Sequence, residues 1–90
     1  MKQILAIVSG KVQGVSFRMY TQKKARQLGV KGYVKNLSNG DVEIVAVGEI
    51  PAIDALVEWA KSGSPSAVVR DVEVKTITDT EDFQGFAIRR

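Results

Sequence analysis

The apolar positions of the chain fall into runs of two spacings, and the spacing switches at glycines and prolines. Residues 4–8, ILAIV, are continuously apolar, and a run this short reads as a strand with both faces at least partly covered. After a polar, glycine-containing stretch, Phe17, Thr21, Ala25 and Leu28 recur at spacings of four, four and three, while Gln22, Lys23, Lys24, Arg26 and Gln27 fill the opposite face. That is the stripe of an amphipathic helix. Gly29 closes it, because glycine accepts the left-handed turn at which helices end. Residues 30–37, VKGYVKNL, read as a strand with Val30, Val34 and Asn36 on one side and Lys31, Tyr33 and Lys35 on the other, since strand side chains alternate between faces. Ser38, Asn39, Gly40 and Asp41 form the strongest turn signal, and residues 42–47 return as a strand, so a hairpin is predicted whose bend spans two or four residues.

Pro51 stands where a helix tolerates a missing amide hydrogen, and Ile53, Leu56, Val57 and Ala60 follow at helical spacing with Trp59 at the edge of the stripe. Ser62, Gly63, Ser64 and Pro65 end that helix. Residues 67–77 alternate loosely and then drift out of phase, which predicts a long strand with a bend. A polar turn over residues 78–82 leads to a short final strand over 83–88. The order is strand, helix, strand, strand, helix, strand, with a small extension. It predicts an α+β, ferredoxin-like split βαβ sandwich in a single domain, residues 1–90, with an antiparallel sheet and both helices on one face. Right-handed crossovers put the first and third strands side by side in the middle. The first loop then comes close to the far end of the second strand, where Asn36 lies.

Composition narrows the chemistry. The 90 residues contain no Cys and no His, which removes thiol nucleophiles, thiolate metal sites, the commonest zinc ligand and the commonest general base near neutrality. Thirteen Lys and Arg against 10 Asp and Glu give a net charge of +3 spread along the chain. That suits small anionic substrates, whereas nucleic-acid binders usually cluster their charge. No apolar run is long enough to cross a bilayer, and one Lys before five apolar residues is too little for a signal peptide. Cytoplasmic residence is expected, with neither nucleic acid nor membrane as partner.

Within that frame the stretch GKVQGVSFR, residues 10–18, joins the first strand to the first helix. Gly10 and Gly14 permit backbone angles closed to other residues, so that successive amides converge. The helix start adds unpaired amide hydrogens and the positive end of its dipole, and Arg18 adds a planar charged fork. Such a concavity suits a phosphoryl dianion. The same glycines would equally serve a tight connection, and the residues alone leave both readings open.

GKVQGVSFR resembles the first signature of the acylphosphatase family, and residues 32–36, GYVKN, resemble its second. Both stand at family spacing, the Gly40 turn and the GSPSA stretch of residues 63–67 are similar too, and the resemblance covers nearly the whole chain. It implies metal-independent hydrolysis of the carboxyl-phosphate bond of small acyl phosphates. The products are a carboxylate and inorganic phosphate, the latter also expected as a competitive inhibitor. It further implies that Arg18 and the amides of Gln13, Gly14, Val15, Ser16, Phe17 and Arg18 hold the phosphoryl group and that Asn36 positions the attacking water; no cofactor is expected, and a monomer is the default expectation. Ser16 fills a position at which the family varies, so its hydroxyl is expected to cap the helix or make a loop hydrogen bond, not to attack. Arg89 and Arg90 stand where many relatives end near an aromatic residue, which leaves the pairing of the last strand open.

The implied chemistry matches the residues available. An acyl phosphate has a good leaving group, so catalysis reduces to positioning and electrostatics. Arg18 can grip a dianion bidentately, and the Asn36 amide can both accept from and donate to water. The water's proton could pass to a substrate phosphate oxygen, since the sequence offers no competing base next to either motif. Asp41 and Glu43 are expected to be solvated hairpin residues. Two other classes fit the fold: an RNA-binding or regulatory module, and a protein that pairs through its free sheet face. Tyr33 alone offers a stacking ring on the central strands, where base-binding sheets use several.

Overall fold

The computed structural model describes residues 1–78 and 81–89. Its elements are β1 (Lys2–Lys11), α1 (Phe17–Leu28), β2 (Lys31–Asn36), β3 (Val42–Gly48), α2 (Ile50–Ala60), β4 (Val68–Thr76) and β5 (Phe86–Arg89). The strands form one sheet in the order β4-β1-β3-β2-β5, so the first and third strands are central, as the crossover rule predicts. Helix α1 lies over β2 and β5, and α2 over β1, β3 and β4.

The stripes read from the sequence make the core. Ile4, Ala6 and Val8 from β1, Val34 from β2, and Val42, Ile44 and Ala46 from β3 meet Phe17 and Ala25 of α1 and Ile53, Leu56 and Ala60 of α2, all buried. Each large aliphatic or aromatic side chain so enclosed contributes about 1.5–3 kcal/mol. The buried Thr21 hydroxyl donates to the Phe17 carbonyl at 2.8 Å, and the tilted Phe17 and Trp59 rings lie 5.6 Å apart. Helix α1 ends at Gly29, whose φ of 73° is the left-handed cap. The hairpin bend is longer than the two or four residues expected: five, 37–41, separate β2 from β3, and the Leu37 amide closes it by donating to the Asp41 carbonyl at 2.8 Å.

Three further expectations are corrected. The sheet is mixed: β2 and β5 pair in parallel, while all other neighbours are antiparallel. Strand β4 finishes opposite the beginning of β1, at the end of the sheet where β2 also starts. A chain that crosses that end to the far edge must enter beside β2 in the same direction. The final strand also begins at Phe86, not at residue 83, and the polar turn expected over 78–82 includes positions 79 and 80, which lie outside the described residues.

Gly10 is the third. It belongs to β1, which runs on to Lys11, and not to the bend that follows. Ser9 pairs with Asp71 and Gly10 with Val69, leaving Arg70 as the extra residue of a bulge, and this is the bend that the drifting alternation of β4 foretold. At Gly10 φ is 123°, and a Cβ would collide with the Val68 carbonyl.

Candidate active site

Between β1 and α1 the backbone reverses handedness residue by residue. Gly14 has φ 73° and Ser16 φ 60°, while Val15 and Phe17 are not in the positive-φ region. Alternation of this kind turns successive amide hydrogens into one concavity. Ser16 is the N-cap of α1, exposed, with no side-chain capping hydrogen bond, so its expected hydroxyl cap is absent. A non-glycine residue there costs about 1–2 kcal/mol, and such strain characteristically collects at functional sites. Among the described residues, the amides of residues 13–19 donate to no backbone or side-chain acceptor; the first amide of α1 to do so is that of Tyr20, to the Ser16 carbonyl at 3.1 Å. Unpaired donors beside the positive end of a helix attract an anion.

These groups border a cleft of about 370 Å³ lined by Val12, Gly14, Ser16, Phe17, Arg18, Met19, Asn36 and Ile88. Among the described residues Arg18 forms no ion pair. Its Nη1 makes one long contact, 3.4 Å, to the Arg89 carbonyl. Asn36, the last residue of β2 on the helix side of the sheet, has a buried Oδ1 that accepts no hydrogen bond from any group among the described residues. No group of three or more His, Cys, Asp or Glu converges to hold a metal ion among the described residues.

The acylphosphatase family model matches residues 4–88. The chain belongs to the acylphosphatase family. An acylphosphatase of Archaeoglobus fulgidus is 52% identical over 81 residues, 90% of each chain. The crystal structure of the acylphosphatase from Bacillus subtilis superposes with a TM-score of 0.95 at 40% identity, covering 100% of both chains. The acylphosphatase structure from Coxiella burnetii gives 0.93 at 49% identity, covering 98% of this chain and 92% of that one.

Of the residues that the acylphosphatase signatures single out here, Gly14, Ser16, Phe17, Arg18 and Asn36 share the cleft, whereas Gln13 and Val15 do not line it. Val15 packs against the core. Gln13 turns to the hairpin, where its Nε2 donates to the Leu37 and Asp41 carbonyls, each at 2.8 Å. Both amide hydrogens thus tie the loop to the turn that follows Asn36. Sequence reasoning missed this brace, and it missed Ser64, buried in the loop after α2, whose hydroxyl donates to the Val15 carbonyl at 3.0 Å.

The open face of the acylphosphatase sheet carries a second polar group of contacts. Glu43 is not a freely solvated residue: it accepts from the Tyr33 hydroxyl at 2.8 Å and pairs with Lys35 at 3.7 Å. Burial, then the hydrogen bond to Glu43, pushes the Tyr33 phenol up to about 12. Arg89 lies 4.2 Å from the Tyr33 ring centroid and holds Glu81 with both guanidinium arms, at 3.0 and 2.8 Å. The hydrogen bond to Glu81 raises the Arg89 pKa, and the same bond lowers that of Glu81. The Arg89 cation thus stacks on the Tyr33 ring. It anchors the strand whose last described carbonyl touches Arg18.

Proposed function

We propose that the protein hydrolyses the carboxyl-phosphate bond of small acyl phosphates, with Arg18 and the loop amides holding the phosphoryl group and Asn36 orienting the attacking water. The observation that carries this is the meeting in one cleft of a guanidinium, a run of amides and a buried Asn36 acceptor which, among the described residues, have no ion-pair or hydrogen-bond partner beyond the long Arg18 contact to the Arg89 carbonyl. A bound phosphoryl dianion gives each amide and the Arg18 fork an acceptor. A water between that dianion and Asn36 supplies Oδ1 with a donor. Attack of the water oxygen on phosphorus breaks the bond to the acyl oxygen, the acyl group leaves as a carboxylate, and the water's proton passes to a phosphoryl oxygen. Charge redistributing over the phosphoryl oxygens is met by groups already in place, which is the source of the acceleration. On this reading the protein is a cytoplasmic monomer of one domain that needs no cofactor or nucleic-acid partner. Inorganic phosphate, the product, competes with substrate.

Phosphate release from benzoyl and acetyl phosphate by the purified protein tests the proposal. Arg18→Ala should remove about 3 kcal/mol or more of transition-state stabilisation, as loss of a preorganised donor does, and should weaken phosphate inhibition while the fold stays intact. Wild-type kcat/KM in a folded Arg18→Ala variant would sink it.

A further inference from the structure

Ser64 reaches the loop from far along the chain. It is 2% exposed, in the segment between α2 and β4, and its hydroxyl donates at 3.0 Å to a carbonyl 49 residues earlier, that of Val15. The peptide joining Val15 to Ser16 is trans, so its carbonyl and its amide hydrogen point in opposite directions across one plane. A carbonyl drawn toward buried Ser64 turns the Ser16 amide hydrogen away from the core, toward the side on which Ser16 lines the cleft. We infer that Ser64 is a positioning residue: through the Val15 carbonyl it holds the Ser16 N–H aimed at a bound phosphoryl oxygen. The inference rests on the reading of the loop as a phosphoryl site.

Two further features fit this role. Ser16 stands at φ 60°, ψ 22° with no side-chain capping bond of its own, so the loop must be held in that conformation by something outside it. The neighbouring Gly63 has φ 70°, and a Cβ there would lie 2.6 Å from the Phe17 ring, so the 63–64 pair is fitted beneath the start of α1. Without the Ser64 hydroxyl the peptide is free to flip. The flipped form presents the Val15 carbonyl oxygen, not a donor, to an incoming dianion, and like-signed partial charges repel.

The test is a titration of the isotopically labelled protein with inorganic phosphate, followed by amide proton and nitrogen shifts. In wild type the Ser16 amide proton should move downfield. In Ser64→Ala that movement should be largely lost and phosphate Kd should rise about tenfold, the scale of one hydrogen bond to a charged group. Ser64→Cys, similar in size with a weaker donor, should fall between and guards against misfolding of the alanine variant. Ile53→Val, a core change remote from the loop, should destabilise by a comparable amount yet leave the Ser16 shift and Kd at wild-type values. If Ser64→Ala or Ser64→Cys, folded, keeps the full Ser16 shift and Kd, the inference is overturned. A wild-type loop that phosphate does not shift at all refutes the functional reading and this inference with it.

Discussion

Asn36→Ala separates a catalytic role from a structural one, because only the structural one demands a loss of stability. Among the described residues Oδ1 has no hydrogen-bond partner, so truncation breaks no hydrogen bond within the fold. The volume lost faces a cleft open to solvent, so the cavity cost is small. Stability should stay within about 0.5 kcal/mol of wild type, and since 1 kcal/mol moves Tm by about 4–8 °C in a domain of this size, the variant should melt within about 4 °C of wild type. Turnover should fall. One preorganised group lost from a transition state typically lowers kcat by about 100-fold or more, about 2.7 kcal/mol on the activation barrier. Phosphate affinity should stay close to wild type, because the amides and Arg18 remain, and a fall in kcat at constant ground-state affinity marks a contact made only in the transition state. The measurements are thermal unfolding, calorimetric phosphate binding and steady-state kinetics on one preparation. A variant that melts well below that range, or whose phosphate affinity falls in step with kcat, would show that Asn36 holds the fold or the anion and does not orient water.

The brace from Gln13 predicts coupling: Gln13→Met should lower kcat about tenfold alone but hardly at all in the Asn36→Ala background, the non-additivity expected when one residue acts through another. Equal effects in both backgrounds would assign Gln13 to general stability. Activity should survive exhaustive chelation, because the proposed chemistry uses no metal; loss with EDTA and recovery with a stoichiometric divalent ion would count against it. The phenol of Tyr33, pushed up to about 12, stays protonated in the folded chain where the unfolded chain has begun to ionise near 10. Its contribution to stability is therefore full below pH 10 and lost as pH rises through 12, so a Tyr33→Phe variant should lose less stability across that window than wild type, and parallel curves would refute the assignment.

Most of the fold was legible because its elements announce themselves locally. The four-four-three stripe from Phe17 to Leu28, the proline-led helix and the Asn39-Gly40 turn each depend on neighbours in the chain. The placement of Asn36 beside the first loop followed from topology alone, once the crossovers were right-handed. What escaped depends on partners distant in sequence. Gly10 looks the same in a string of letters whether it bends a loop or lets a bulge pass Val68, and only the register against β4 decides. Glu43 reads as a hairpin carboxylate until Lys35 stands opposite it and Tyr33 reaches across. Ser64 sits in a loop whose Ser, Gly and Pro say only that a helix ends, and its partner is Val15. The direction of β5 was open for the same reason, since nothing within residues 86–89 states which neighbour they meet.

The bulge opposite Gly10 bears on how the molecule behaves among its own copies. Strand β4 is an edge of the sheet, and an uninterrupted edge offers a row of free amides and carbonyls to any other extended chain. Here the extra residue, Arg70, breaks the row and sharpens the local twist, and Asp71, Glu73 and Lys75 keep the remainder charged and exposed. A second molecule trying to add a strand would meet a ladder out of phase at Arg70, with the charged side chains of Asp71, Glu73 and Lys75 to desolvate along it. Gly10, which reads as part of an anion loop, therefore also bears on how this edge of the sheet meets other molecules.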